Sequence, residues 1–459
     1  IINQSLKSGI FPNRLKIARV LPLFKKDEPT IVDNYRPISL LPCLSKIFEK
    51  VVYIQLYNYF IDKKLFHISQ HGFMKDHSTE SATLEFIDRV YSTLNSQNSS
   101  NLSLSVFIDL SKAFDTIDHS ILLNKLDYYG IHNIELSWFN SYLSNREQYV
   151  DYDSTCSKYL PITTGVPQGS ILGPLLFLIY INDICLSSNL FNFVMYADDT
   201  SLESPLCSFD LNDTSPNSDL STNINHELDH IFDWLCVNKL SVNETKTKYM
   251  LFHFRQNRNV PDLNLKINNV PIERVTSFNF LGIHVDQHIN WNEHKKVICT
   301  KISRSVGILR RLQKFLPHFT LLTIYNSLIY SHLSYGILAW GYDTGTIFKI
   351  QKKAVRIITG SRYNAHTNPL FYRLNLLKVE DIFHVNCIKF YYKYCHDSLP
   401  RYFLNMFDEQ YPAHNYFTRQ QHIPIPNMPL RPSTSVCIRY YIPQFTSRPG
   451  KIQNIHTFM

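Results

Sequence analysis

The sequence predicts an α+β protein. Strand-like runs in its middle third stop at acidic residues, helical periodicity takes over after Trp291, and 44% of its 459 residues are hydrophobic against 18% charged. That balance belongs to a chain with a packed core rather than a disordered one. The length exceeds a single compact core and implies about two to four folded units.

Leu44 to Asp62 reads as a helix that starts near a Ser45 cap and carries its aromatic and aliphatic residues on one face. Residues 92–103, rich in Ser and Asn, read as a flexible loop. Leu104 to Ile108 is a strand-like run ending at Asp109, and Phe191 to Tyr196 is another, ending at Ala197-Asp198-Asp199-Thr200. Both carboxylate sites therefore stand where a strand stops. Glu203 to Thr222 is polar and is expected to be a disordered surface loop, followed by an amphipathic helix over Ile224 to Val237. Tyr249 to Phe254 and Phe278 to Val285 read as strands.

From Trp291 the period becomes helical. Ile298, Ile302, Val306, Leu309, Leu312 and Leu316 form one apolar stripe, with Lys296, Arg304, Arg310, Arg311 and Lys314 on the opposite face. Such a basic face is a solvated helix surface unless other features point to a polyanion. Helices are also expected over Ile324 to Trp340 and Phe348 to Ile358, and the proline-containing last sixty residues are expected to be irregular.

A net charge of +8 permits a nucleic-acid partner without demanding one. The 28 Tyr and 30 Phe suit a large core and equally suit stacking on bases. Nine scattered cysteines with no C-x-x-C pair argue against a zinc ribbon and for a reducing compartment. The Asn-x-Ser/Thr matches at Asn98, Asn101, Asn212 and Asn243 are then chance. The longest apolar run, Ile171 to Ile181, is too short to span a bilayer. No signal peptide is visible, and Ile1 in place of a starting Met suggests that an upstream part is missing.

The carboxylates carry the chemistry. Nucleotide addition is an in-line displacement at phosphorus, whose charge is stabilised by two divalent ions about 3.5–4 Å apart. Mg²⁺ takes carboxylate oxygens and leaves its remaining positions to phosphates and water. A single Asp at one strand end plus an Asp-Asp pair on a neighbouring hairpin supplies them compactly, although Asp-Asp alone is also an ordinary turn. Between the two sites lies Gly165-Val166-Pro167-Gln168-Gly169-Ser170, followed by Ile171-Leu172-Gly173-Pro174. Its glycines would let backbone approach a flat partner, though by itself the segment is a Gly/Pro turn.

The order of these segments carries a resemblance. FIDLSKAFD over 107–115, GVPQGSILGP over 165–174 and Tyr196-Ala197-Asp198-Asp199 resemble motifs A, B and C of reverse transcriptases. NYRPISLL over 34–41 and Gln70-His71-Gly72-Phe73 resemble the two fingers motifs of non-LTR retrotransposon enzymes. Leu240 to Thr247 resembles motif D, and Phe280-Leu281-Gly282 the primer grip. The resemblance covers about residues 10–360, and its Lys-Ala-Phe-Asp and Ile-Leu-Gly-Pro variants are similar to the LINE or Jockey-like group.

The resemblance implies a right-hand polymerase, with an antiparallel-sheet palm and helical fingers and thumb. It places the fingers region at 1–100, the palm at 101–288, the thumb and following helices at 289–400, and an irregular tail at 401–459. It implies Asp109, Asp198 and Asp199 as ligands of two Mg²⁺ ions, with Mn²⁺ as an alternative. Phe114 matches the aromatic gate against a ribose 2′-OH, and Gln168 and Gly169 the contact to nucleotide and template. Arg36 would face the triphosphate, helped by Lys25 or Lys26. Lys246 matches the motif D proton donor, with Lys248 as rival. The basic face from Lys296 to Lys314 would hold the template–primer backbone. Met74 departs from the pattern, since relatives often carry Arg there.

The implied partners are an RNA template, a DNA primer and dNTPs, with no membrane. An endonuclease domain is expected on the missing upstream part, and the implied setting is cytoplasmic and nuclear. An RNA-dependent RNA polymerase is disfavoured by Phe114 and the Pro-Gln-Gly step. A group II intron enzyme would carry a maturation region, which is not found. A decayed, merely binding copy is disfavoured by the intact aspartates.

Overall fold

The computed structural model describes residues 1–96, 101–209, 220–257, 259–404 and 406. The first half contains β1 (Ile17–Phe24), β2 (Tyr35–Leu40), α1 (Cys43–Asp62), α2 (Thr79–Asn95), β3 (Leu102–Ile108), α3 (His119–Tyr128) and β4 (Arg146–Tyr152). Next come α4 (Leu172–Ile181), β5 (Asn192–Tyr196), β6 (Asp199–Pro205), α5 (Leu220–Val237) and β7 (Lys248–His253). A hairpin of β8 (Ser277–Phe280) and β9 (Ile283–Asp286) leads into α6 (Asn292–Leu312), α7 (Gly345–Ile358) and α8 (Val379–Cys395). Helices and sheets are therefore mixed, as expected for α+β.

The central sheet runs β7-β3-β6-β5, with the short strand Glu273–Arg274 parallel to β7 at its edge and the other pairs antiparallel. Leu102, Leu104, Val106 and Ile108 of β3 enter one buried cluster with α1 and α4, whereas Phe107 enters a second cluster with α2, α6, α7 and α8. On β7, Tyr249 and Leu251 face the first cluster and Met250 and Phe252 the second. Alternate residues of these strands thus bury on opposite faces, and β3 is buried at all seven positions, Ser103 and Ser105 included. A second sheet pairs β1 antiparallel with β2 and parallel with β4.

Several boundaries differ from expectation. Helix α1 does follow the predicted span, but Ser45 does not cap it: Pro42 precedes the helix, and the buried Ser45 hydroxyl donates to Glu49 Oε1 at 3.0 Å. The loop expected at 92–103 is shortened by α2 at one end and β3 at the other, while residues 97–100 lie outside the described residues. The polar stretch from Glu203 begins inside β6, where Glu203 is 1% exposed and accepts from Ser103 and Thr93. Neighbouring hydroxyls satisfy its carboxylate, so a polar residue serves a core strand. Residues 210–219 lie outside the described residues.

The strand expected over Phe278 to Val285 is a hairpin, turning at Leu281 (φ 47°) and Gly282 (φ 84°). The helix expected at Ile324 to Trp340 is interrupted at Tyr335 and Gly336, the latter with φ 55°. The C-terminal stretch expected to be irregular lies almost wholly outside the described residues. The Ile171–Ile181 run is the core helix α4, buried at nine of its ten positions. Among the described residues the cysteines are free, and no helix is long and apolar enough to cross a membrane.

Candidate active site

Three backbone constraints bring the aspartates together. Ile108 pairs with Thr200 across β3 and β6, so Asp109 leaves β3 beside Asp199. Tyr196 pairs with Asp199 across the β5–β6 hairpin, leaving Ala197 and Asp198 as its tight turn. Ala197 holds φ 57°, a conformation disfavoured for a residue with a Cβ. Beside Asp109, Leu110–Ser111 pairs with Ser241–Val242, Asn243 N–H donates to Asp109 O at 2.7 Å, and Asp109 N–H donates to Thr247 Oγ1 at 3.3 Å. The 240–247 segment therefore fixes the backbone of Asp109 and brings Lys246 Nζ to 3.4 Å from its carboxylate.

Crowding bears on the carboxyls of Asp198 and Asp199. Burial raises Asp198 first, and the neighbouring Asp109 raises it further. Asp199 is pushed up to about 6, by burial and then by the charges of Asp198 and Asp109. Arg36 and Lys25 oppose this at Asp198. The positive charge at the site therefore includes Lys25 rather than Lys26, which pairs with Asp27 at 3.7 Å. Lys25 and Arg36 sit on the same β1–β2 hairpin end, where Leu23 pairs with Arg36 and Lys25 N–H donates to Asn34 O.

This donor set fits a hard divalent cation: three carboxylates, mutually repelling, on adjacent strand ends, with solvent-facing room at Asp199. A cation there would remove the repulsion that adds to the effect of burial at Asp198 and Asp199. They are set wider than a closed chelate. Among the described residues, the group of three His, Cys, Asp or Glu whose donor atoms all lie within 4.8 Å is His226, Glu227 and His230 on α5.

The glycine-rich loop meets both neighbouring segments. Gly165 N–H donates to Ile117 O and Val166 N–H to Phe114 O, tying the loop to the segment after Asp109. A Cβ on Gly165 would lie 2.6 Å from Asp115 O, and one on Gly169 2.5 Å from Ser39 O. Ser39 N–H in turn donates to Gln168 O at 2.8 Å, so β2 lies directly on Gln168 and Gly169. Gln168 Nε2 reaches both Asp115 oxygens at 2.9 Å. Phe114 is partly buried, its ring 4.6 Å from Phe177 and tilted by 30°.

Several supporting residues were not singled out from sequence. Asp115 stood inside the quoted motif, but nothing there marked it as the partner of Gln168. Glu49 is fully buried and accepts from Ile171 N–H at 2.6 Å, anchoring the start of α4 just after the glycine-rich loop. Tyr335 Oη donates to Leu281 O at 2.6 Å and so holds the β8–β9 turn. That hairpin, with Asp109, Asp199 and Lys246, lines a cleft of about 640 Å³. Lys248, the rival to Lys246, also lines the cleft but pairs with Glu273 at 2.6 Å. Lys296, Arg304, Arg310 and Arg311 are exposed on α6 and Lys314 just beyond its end, whereas Lys295 is buried and pairs with Asp343; Lys296 pairs with Glu293 at 2.7 Å.

The family model described as "Reverse transcriptase (RNA-dependent DNA polymerase)" matches residues 24–285. The chain is 26% identical over 422 residues to a probable RNA-directed DNA polymerase from transposon X-element of Drosophila melanogaster, covering 88% of this chain and 43% of that protein. It is 27% identical over 398 residues to the RNA-directed DNA polymerase from mobile element jockey of the same organism, covering 83% and 42%. The chain thus spans about two fifths of the length of these curated relatives. Among solved structures, telomerase from Candida albicans in complex with a fragment of telomeric RNA aligns with a TM-score of 0.41 at 13% identity, covering 82% of this chain and 65% of that one.

Proposed function

Because the chain belongs to the reverse transcriptase (RNA-dependent DNA polymerase) family, we propose that it is the polymerase region of a non-LTR retrotransposon enzyme. It would add dNTPs to a primer 3′-OH on an RNA template. The carrying observation is the convergence of Asp109, Asp198 and Asp199 at adjacent strand ends of one antiparallel sheet. In this reading that sheet is the palm. The β1–β2 side belongs to the fingers, the helices from α6 onward to the thumb, and the domain bounds are those expected from sequence.

Two Mg²⁺ ions between the aspartates would polarise the primer oxygen and neutralise charge on the triphosphate. Arg36 and Lys25 attract the triphosphate from the fingers side. Gln168, oriented by Asp115, and Gly169, where no side chain fits, form a flat seat for the nascent base pair. Phe114 closes the sugar side against a 2′-OH. Lys246 is held at the Asp109 carboxylate and can deliver a proton to departing pyrophosphate. Lys296, Arg304, Arg310, Arg311 and Lys314 hold the duplex backbone without reading sequence. The reading implies work on RNA and DNA in the cytoplasm and nucleus, with the nicking endonuclease elsewhere on a longer protein.

Primer extension on an RNA template with dNTPs and Mg²⁺ tests this, run beside Asp198→Ala. Extension by the native chain that disappears in the variant supports the reading. A folded native chain that binds the hybrid and extends nothing replaces it with a non-catalytic hybrid binder.

A further inference from the structure

The turn carrying Asp198 is held from outside its own sheet. Strand β5 is the sheet's edge, and Ser69 to His71 lies along it: Met195 N–H donates to Ser69 O at 2.9 Å and His71 N–H to Met195 O at 2.8 Å. Between these bonds, Gln70 bridges Met195 in parallel register. The Gln70 side chain then turns back. Its Oε1 accepts from Gly72 N–H at 2.7 Å and from Ala197 N–H at 3.0 Å. Ala197 is the residue at φ 57° that starts the turn into Asp198.

The chemistry selects glutamine here. Two backbone donors converge on one atom, so an acceptor is required. A Glu would supply it with a buried charge beside Asp198 and Asp199, which already repel one another. An Asn is one methylene shorter. The amide orientation is fixed by the two donors, and Nε2 is left buried with no partner among the described residues, in a side chain only 2% exposed. Gly72 is equally constrained, since a Cβ there would lie 2.3 Å from Ala197 N.

The segment is anchored behind. His71 is 1% exposed, with Nδ1 at 2.9 Å from Ser81 Oγ and Nε2–H donating to Glu85 at 2.9 Å. Arg89 holds the other Glu85 oxygen at 2.8 Å. The chain of contacts therefore runs from α2 through His71 and Gln70 to the turn that presents Asp198.

We propose that Gln70 is a positioning residue for catalysis: its amide oxygen fixes the left-handed turn at Ala197, and so the placement of Asp198, without touching substrate. This rests on the polymerase reading. A misplacement on the order of 1 Å at a reacting group costs about 100-fold in rate.

The test uses the full chain with Gln70→Met, which keeps length and removes the acceptor, and Gly72→Ala, which presses on the turn independently. Expected are an unfolding midpoint close to the native one, hybrid Kd and dNTP KM within about threefold, and kcat lowered at least tenfold. Deuterium uptake over residues 193–200 should also become faster in both variants. An unchanged kcat, a loss that follows the folded fraction, or unchanged uptake at the turn overturns the proposal. If the native chain itself extends no primer, the polymerase reading fails, while the exchange comparison still decides whether Gln70 holds the turn.

Discussion

Under the proposed polymerase reading Phe114 is the gate against a 2′-OH, and its neighbours decide whether its ring can act as one. A gate must be stiff as well as bulky, because a ring free to rotate would yield to a 2′-OH. Here the ring leans on Phe177, and its own carbonyl is pinned by Val166 N–H at 2.9 Å. Shortening it to Val should open the sugar side while leaving the loop in place. Discrimination between dNTP and rNTP, measured as the ratio of kcat/KM values, should fall by about 10–100-fold, or roughly 1.4–2.7 kcal/mol. An unchanged ratio would remove Phe114 from the gate. At this scale the sequence was informative where structure is local: that Asp109, Asp198 and Asp199 stand at strand ends was legible because each closes or follows a short strand-like run. The choice between Lys25 and Lys26 was not, since it depends on the β1–β2 register, and neither was the grip of Gln70 on a residue 127 positions away.

Helix α3 is the element that follows Phe114, and Asp118 starts it. Its Oδ1 accepts from Ser120 N–H at 2.9 Å and Ile121 N–H at 3.1 Å, while Lys239 Nζ lies 2.6 Å from Oδ2. The Lys239 contact first, and then the Ser120 bond, hold the carboxyl well below the usual range. Asp118→Ala should cost about 1–2 kcal/mol at pH 7, mostly from the lost cap. Lys239 is 63% exposed, so water screens the ion pair and its share is small. Because the folded pKa is depressed, the advantage is present above the unfolded value near 3.9 and fades as pH falls toward the folded one. The gap between the urea midpoints of native and variant should therefore narrow as pH falls below about 4; a gap constant with pH would mean that the charge contributes nothing. Some element boundaries differ from expectation where a side-chain partner, near or distant, sets them. The Phe278–Val285 run alternates like one strand, but Phe280 pairs with Ile283 across a turn at Leu281 and Gly282, whose Leu281 carbonyl is held by the Tyr335 hydroxyl 54 residues on. Ser45 looked like a cap because its bond to buried Glu49 leaves no trace in local pattern.

At the scale of the molecule, the path of the duplex is the feature to test. Helix α6 begins six residues after β9, whose hairpin lines the cleft with Asp109 and Asp199. Its 21 residues extend about 31 Å, the length of roughly nine phosphates on one strand. The apolar stripe at Ile298, Ile302, Val306 and Leu309 is buried against the rest of the second core, which fixes which face of the helix remains outside. That division was readable from periodicity; whether the outward charges are free was not. Lys296 spends its ammonium on Glu293, whereas Arg304, Arg310, Arg311 and Lys314 have no acidic partner within 4 Å among the described residues. Backbone contacts release counterions, so each lost contact should flatten the plot of log K against log salt by about 0.7–0.9. Replacing Arg310, Arg311 and Lys314 with Ala should lower the slope by about 2–3 for an RNA–DNA hybrid, equally for any sequence, and Lys296→Ala should lower it by less. A triple variant with the native slope would take the duplex off this helix and leave its basic face as solvated surface.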